Sequence, residues 1–285
     1  MADAITGNTE LGATKQDLIA SMVQRELAFK AKLLPWVTDV SMFAVPGAKS
    51  ISFPKLTSFT VVDRAEGVAG DATALTSTVD LMNLDNNAFV SYIIDAMTKK
   101  QSNIQAELQF AKNAAAAHAR YVDSQLIVAI AAAAASFINV GADVNVTYGN
   151  LTTMQESYLT ADGLVEDGVW LMSIAQNKVV AGLAEFKDSS AFGEMVIRNG
   201  FVSQILGFPV VLHNGLASKQ LFLMSKESMA IGFQSAPAME EQQAIEFGTG
   251  STRVVIDQLF GIKALQTGLK GAAAGKSPLI LGLND

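Results

Sequence analysis

The sequence predicts an α+β fold in which an extended arm, a two-stranded ribbon, one long helix and a mixed α/β region follow one another along the chain. Three observations carry this prediction. Apolar side chains recur at period two near residues 51–61, the stretch from Thr98 to Ile138 keeps a helical spacing with no Gly or Pro, and short apolar runs alternate with a helical segment from Val169 onward.

Taken in order, Thr14 and Asp17 have the spacing of a helix-start box, and Leu18, Met22 and Leu27 continue it until Pro35. This gives one short helix on a loose arm. After the turn-forming Pro46-Gly47, ISFPKLTSFTVVD places Ile51, Phe53, Phe59 and Val61 on one face of a strand, with Pro54 confining that strand to an edge. A second β run, VDLMNLDNNAFVSYIID, spans Val79 to Asp95. Between the two runs lies RAEGVAGDATALTST, and loops of such length are uncommon in compact domains unless they serve a function. A two-stranded ribbon is barely stable alone, so it must find a partner surface, and another subunit is the economical one. Arg64, Glu66, Gly67 and Asp71 fall in this loop and are the expected inter-subunit contacts.

The long helix follows from Ile104, Leu108, Ala111, Ala115, Ala119, Val122, Leu126, Ile130, Ala133 and Phe137, whose mean step is about 3.7 residues. A helix from Thr98 to Ile138 would be about 60 Å long. Leu108, Ala115, Val122, Leu126 and Phe137 are the positions expected to pack along it, and its alanines let neighbouring backbones approach closely. Gln109, Asn113 and Arg120 give the first half a wet face, whereas the second half is apolar all round and is expected to be buried. It does not read as a membrane span. The uncharged run Leu126–Ile138 has thirteen residues, against the roughly 20 that crossing requires, and it lacks aromatic or basic flanks.

Beyond a polar connector at 141–150, VWLMSIA (Val169–Ala175) reads as a buried strand and NKVVAGLAEF (Asn177–Phe186) as a helix capped by its Asn. Phe201–His213 reads as two short strands broken at Gly207. Leu221–Met224 and the alternating TRVVIDQL (Thr252–Leu259) are further strands, and the Gly-rich tail TGLKGAAAGKSPLILGLND is expected to fray or lie across the surface.

Composition narrows the function classes. Half of the 285 residues are hydrophobic, enough for a sizeable core in one large domain or two smaller ones. There is no cysteine, hence no disulfide framework or thiol chemistry, and the N-terminus lacks the basic start and apolar stretch of a secretory signal, so a cytosolic setting is expected. A net charge of -7 disfavours a nucleic-acid grip, which depends on clustered Lys and Arg.

Catalytic chemistry finds no foothold. Only two histidines exist: His118, near the apolar stripe of the helix, reads as structural, and His213, at a strand end before Asn214, as a turn residue. No G-x-S-x-G or H-E-x-x-H pattern occurs. GAAAGKS at 271–277 approaches a phosphate loop, but Lys270 takes the place of the first Gly and Pro278 follows at once. Glu240, Glu241 and Glu246 are separated by glutamines without ligand geometry and read as a solvated loop. No enzyme, cofactor or metal site is expected.

The order of these elements, with DRAEGVAG (Asp63–Gly70), DGVWLMSIAQNKVVAGL (Asp167–Leu183) and ILGFPVVLHNGL (Ile205–Leu216), resembles the tailed-bacteriophage major capsid proteins of the Hong Kong 97 fold. The resemblance covers about Ser50 to Gly268. It implies an N-terminal arm at 1–49, an extended ribbon or E-loop opening the peripheral domain at 50–97, a spine helix and connector at 98–149, an axial domain at 150–234, and a return to the peripheral domain with the tail at 235–285. It implies self-assembly into pentamers and hexamers of an icosahedral shell around double-stranded DNA, no catalysis, no membrane, assembly in the host bacterial cytoplasm and residence in the virion capsid. An encapsulin-type compartment enclosing enzyme cargo is the alternative within the fold. Two departures matter. Only about fifty residues precede the ribbon, which implies a separate scaffolding protein beside the portal. No lysine stands between Lys55 and Lys99, so the lysine crosslink of some members is not expected, while cement or decoration proteins fit.

Overall fold

The computed structural model describes residues 31–56, 77–94, 104–139, 146–161, 163–187, 204–218, 220–235, 237–247, 250–265 and 277–284. In chain order these contain β1 (Thr38–Asp39), β2 (Ser50–Leu56), β3 (Ser77–Asn83), β4 (Asn86–Ile94), α1 (Ile104–Ala133), β5 (Ala134–Asn139), α2 (Tyr148–Thr160), β6 (Gly168–Met172), α3 (Ile174–Ala181) and α4 (Ala184–Lys187). There follow β7 (Gln204–Ile205), β8 (Phe208–Leu212), β9 (Leu221–Ser225), β10 (Met229–Phe233), β11 (Ala238–Gln243), β12 (Thr252–Ala264) and β13 (Ser277–Asn284). The arm helix expected after Thr14 lies outside the described residues.

The strands form three sheets. The first has six strands in the order β5-β13-β9-β6-β8-β7. Its central strands read as unbroken apolar runs because both faces are covered. Val169 and Leu171 of β6 turn to one core, Trp170 and Met172 to the other. Leu151, Met154 and Tyr158 of α2 close the second core. The second sheet is organised by β12: β10 and β11 pair in succession along it, β4 pairs across from them, and β1 joins β10 in parallel. The third is the ribbon β2-β3 alone.

Helix α1 links the layers. Ala114 and Ala115 pack on Ile94, Val254 and Ile256 of the second sheet, and Val122, Leu126 and Ile130 lie in the core shared with β6, β9, β10 and β13. Ala115, Val122 and Leu126 are fully buried.

Several expectations are corrected. The helix ends at Ala133, and Ala134–Asn139 form β5, paired in parallel with β13. Phe137 therefore stands on a strand and not on the helix. The second half of α1 is not buried all round, since Ser124, Val128 and Ala132 keep an exposed stripe one turn apart. The second ribbon run is two strands: β3 pairs β2, then after Leu84 and Asp85 the chain passes to β4 in another sheet. The helix after β6 starts earlier than its Asn, with Ser173 as the cap accepting from the Gln176 N–H. Helix α2, capped by Thr147, begins inside the expected connector and runs on to Thr160. The tail does not fray at 277–284. It inserts β13 between β5 and β9, with Ile280 buried. Glu240 and Glu241 lie on strand β11 and not in a loop.

The break at Gly207 is a two-residue hairpin turn. Leu206 and Gly207 both have positive φ, 50° and 87°, the combination that matches strand twist in tight hairpins.

Candidate interaction surface

The described residues leave three surfaces bare, and these are the candidate functional sites. Among the described residues no three His, Cys, Asp or Glu side chains gather as a metal site, and no helix is long and apolar enough to cross a membrane.

The β12 sheet has two unlike faces. Val254, Ile256, Gln258 and Phe260 turn inward and are buried under α1. Strand alternation sends Arg253, Val255, Asp257 and Leu259 to the other side. The register sets Ile93 opposite Arg253, Ser91 opposite Val255, Phe89 opposite Asp257 and Asn87 opposite Leu259, so these eight residues share the outer face. Phe89 is 61% exposed there, and Ile93 is exposed as well. Among the charged members, Arg253 reaches Glu246 at 3.1 Å across water-exposed surface, a pair worth about 0–1 kcal/mol.

One end of that outer face is covered by the root of the ribbon. Ile51 and Met82, directly opposed, turn to a core shared with Val40, Ala44, Leu84 and Ala230. Asp80 binds Lys263 of β12 at 3.0 Å. The alternate positions Ser52, Pro54, Val79 and Leu81 face away, and Val79 and Leu81 are exposed. Arg64, Glu66, Gly67 and Asp71, the expected contacts further along the loop, lie outside the described residues.

A third element is the segment from Ala31 to Ala48. Its start is held by the Asp123 carboxylate of α1, which accepts from the main-chain N–H of Lys32 (3.0 Å) and Leu33 (3.3 Å) and meets His213 Nε2 at 3.2 Å. The Gly215 N–H donates to His213 Nδ1, which leaves the proton on Nε2, directed at Asp123. A buried carboxylate survives folding when its oxygens are so satisfied. Beyond this clamp the segment exposes Met42, Phe43 and Val45. His213 thus does more than shape a turn; its partner is 90 residues away and no local signal marks it.

His118 is buried, as a structural histidine would be, yet among the described residues neither ring nitrogen makes a hydrogen bond of good geometry, and neither does Gln258 Oε1 of the strand that α1 covers. Burial holds the His118 pKa below its ordinary 6.5, with the Ile256 main chain and the Asp257 carboxylate pulling partly the other way.

Of the predicted packing residues, Ala115 is buried against Ile94, Val254 and Ile256, Val122 and Leu126 are buried in the core shared with the six-stranded sheet, Leu108 lies within α1, and Phe137 is carried away on β5. Sequence reasoning missed the outer face itself. Its signal was present in the alternation of NNAFVSYII, whose Phe89 and Ile93 fall out of phase with the buried Ala88 and Ile94.

No protein-family model matches the chain, and no curated protein matches it by sequence. Solved structures do. One, of Mycobacterium phage Che8, is 15% identical with a TM-score of 0.70 over 88% of this chain and 90% of that one. The capsid structure of cyanophage P-SCSP1u is 14% identical with a TM-score of 0.70, covering 89% of this chain and 88% of its own. A virus-like particle from Pyrococcus furiosus is 7% identical with a TM-score of 0.59, covering 95% and 99%. The chain has the fold of phage capsid proteins.

Proposed function

We propose that this chain is the major capsid protein of a tailed bacteriophage, a structural protein that assembles with copies of itself into pentamers and hexamers of an icosahedral shell around double-stranded DNA. The observation that carries this reading is the capsid fold shared over nearly the full length of both chains. The surfaces support it. An isolated ribbon with an apolar outer edge, a half-bare sheet face and an arm with exposed Met42 and Phe43 are unexplained in a monomer and ordinary at interfaces. In this reading residues preceding β2 are the N-arm, β2 and β3 are the stem of the E-loop, α1 is the spine helix with the β12 sheet as peripheral domain, and the six-stranded sheet with α2 and α3 is the core of the axial domain. Arg64, Glu66, Gly67 and Asp71 then meet a neighbouring subunit. Portal, scaffolding and decoration proteins are its partners, the host bacterial cytoplasm is the place of assembly, and the virion is its destination.

The test is expression of the full chain with electron microscopy and sedimentation. Closed shells or ring-shaped capsomers are expected, and a species that stays monomeric at high concentration would overturn the reading. The likeness to the virus-like particle favours one second reading, an encapsulin-type shell around enzyme cargo. Purified particles that carry a protein cargo and no DNA from their native host would decide for it.

A further inference from the structure

The ribbon has only two strands, so its direction is set by what its root rests on. The root rests on two glycines. Gly232 of β10 and Gly261 of β12 stand directly opposite each other in the antiparallel register, flanked on the same face by the next non-adjacent pair, Ala230 and Lys263. Neither glycine has the positive φ that would require it for conformational reasons. Space is the reason. A Cβ at Gly232 would lie 2.8 Å from Met82 Cε, 3.3 Å from Ile51 Cδ1 and 3.4 Å from Val40 Cγ2. At Gly261 it would collide with the carbonyl oxygen of Asn83 and stand 2.9 Å from Leu84 Cδ2. The first neighbour is the free end of a flexible side chain; the second is main chain, which cannot step aside.

Two contacts beside this notch locate the ribbon root. The Leu84 N–H donates to the Lys49 carbonyl at 3.0 Å, closing the base, and Lys263 holds Asp80 from the side. We infer that the Gly232–Gly261 pair is a seat that fixes the direction in which the ribbon leaves the body, so that these two glycines are positioning residues for the contact between subunits. This rests on the reading of the ribbon as the fastener of a shell. It extends that reading to residues far from the loop that would touch the neighbour. A methyl group on the seat tilts or lifts the root while both apolar cores, which lie on the other side of the β12 sheet and in the six-stranded sheet, stay packed.

The experiment uses the full chain with Gly232→Ala, Gly261→Ala and the double variant Gly232→Ala/Met82→Leu, in which the methyl met by the new Cβ is gone. Hydrogen exchange on unassembled subunits compares peptides of β2 and β3 with those of β9, and microscopy and sedimentation follow assembly. Gly232→Ala is expected to speed exchange at the ribbon root roughly tenfold while β9 stays protected, because local opening is separable from global unfolding. It should also shift products from closed shells to open or irregular ones, and the double variant should recover part of both. Gly261→Ala is expected to exceed Gly232→Ala in each readout; if it fails to fold, Gly232→Ala with its rescue still decides. Unchanged exchange in β2 and β3, or an equal rise in β9, would overturn the seat. Faster ribbon exchange with shells of normal size would overturn its role in assembly. A wild type that never assembles would count against the capsid reading alone, since the exchange comparison still reads the seat.

Discussion

The six-stranded sheet spends both of its faces inside the chain, whereas the β12 sheet spends one face and part of the other. The first is written in consecutive apolar residues, VWLM in β6 and LFLM in β9. The second is written in alternation, with Val254, Ile256, Gln258 and Phe260 buried, Val255 and Leu259 between them half-buried and Asp257 exposed. The difference teaches where each sheet's stability comes from. A sheet buried on both sides is complete within the chain, whereas a bare, partly apolar side is the kind of surface that an interaction covers, and under the capsid reading proposed above its cover is a neighbouring subunit. Mutations should therefore separate into those that unfold the subunit and those that leave it folded and unable to assemble.

The largest effect is expected from Trp170→Ala. Trp170 is fully buried in the second core, and its indole N–H donates to the Ile205 carbonyl at 3.0 Å. Losing a ring there costs about 3–5 kcal/mol, and chemical denaturation should register it with no assembled product. Asp123→Ala comes next. It leaves the Lys32 and Leu33 N–H groups and His213 without their acceptor, at about 1–3 kcal/mol for an unsatisfied buried group. Exchange should rise first at residues 31–40, and equal loss of protection in β9 would contradict a clamp specific to the arm.

His118→Leu tests the seam between α1 and the β12 sheet and has the opposite sign. Replacing a buried group that makes no hydrogen bond of good geometry among the described residues should raise stability by about 1 kcal/mol. The pH dependence identifies the cause. Because the folded pKa of His118 lies below 6.5, the unfolded chain binds the proton first as pH falls. Its effect on stability is thus flat above about 6.5 and becomes a loss as pH drops from there to the folded value. Subtracting the variant's denaturation curves from the wild type's should isolate that slope, and parallel curves from pH 7 to 5 would contradict it. The smallest effect on the subunit is expected from Phe89→Ser on the outer face. Surface changes of this kind stay within about 0.5 kcal/mol, yet sedimentation should show fewer closed shells. Unimpaired assembly would mean that this face stays open in the product.

The same contrast governs what the sequence made legible. Runs such as VWLM announced β6 because burial on both faces leaves no room for polar residues, and the alternation of TRVVIDQL announced β12. The turn at Leu206-Gly207 was marked by its glycine. The end of α1 was not. Alanine favours helix, AAAAAS carries no stop signal, and what turns Ala134–Asn139 into a strand is a partner at 277–284 that local spacing cannot see. The partner itself was hidden in a glycine-rich tail. β11, spelled AMEEQQ, is too polar to announce a strand and is one because β12 supplies its ladder. The clamp at Asp123 was illegible for the same reason, its donors arriving from residues 32, 33 and 213. The glycine seat was present as two unremarked letters, since only the register places Gly232 opposite Gly261.

The position of β13 also sets a timetable. It is the latest of the six strands in the chain, yet it stands between β5 and β9 rather than at a border. While a ribosome extends the polypeptide at about 5–20 residues per second, every other member of that layer emerges first and must wait. Until β13 arrives, β5 hangs from the end of a helix and β9 presents an open row of N–H and C=O groups. A nascent or broken chain lacking this piece has no finished layer, so the insertion works as a completeness check on the fold of each chain. In pulse-labelled exchange during refolding, β5 and β9 should gain protection in the same phase as β13, and a β5 protected earlier would mean that the layer closes without it.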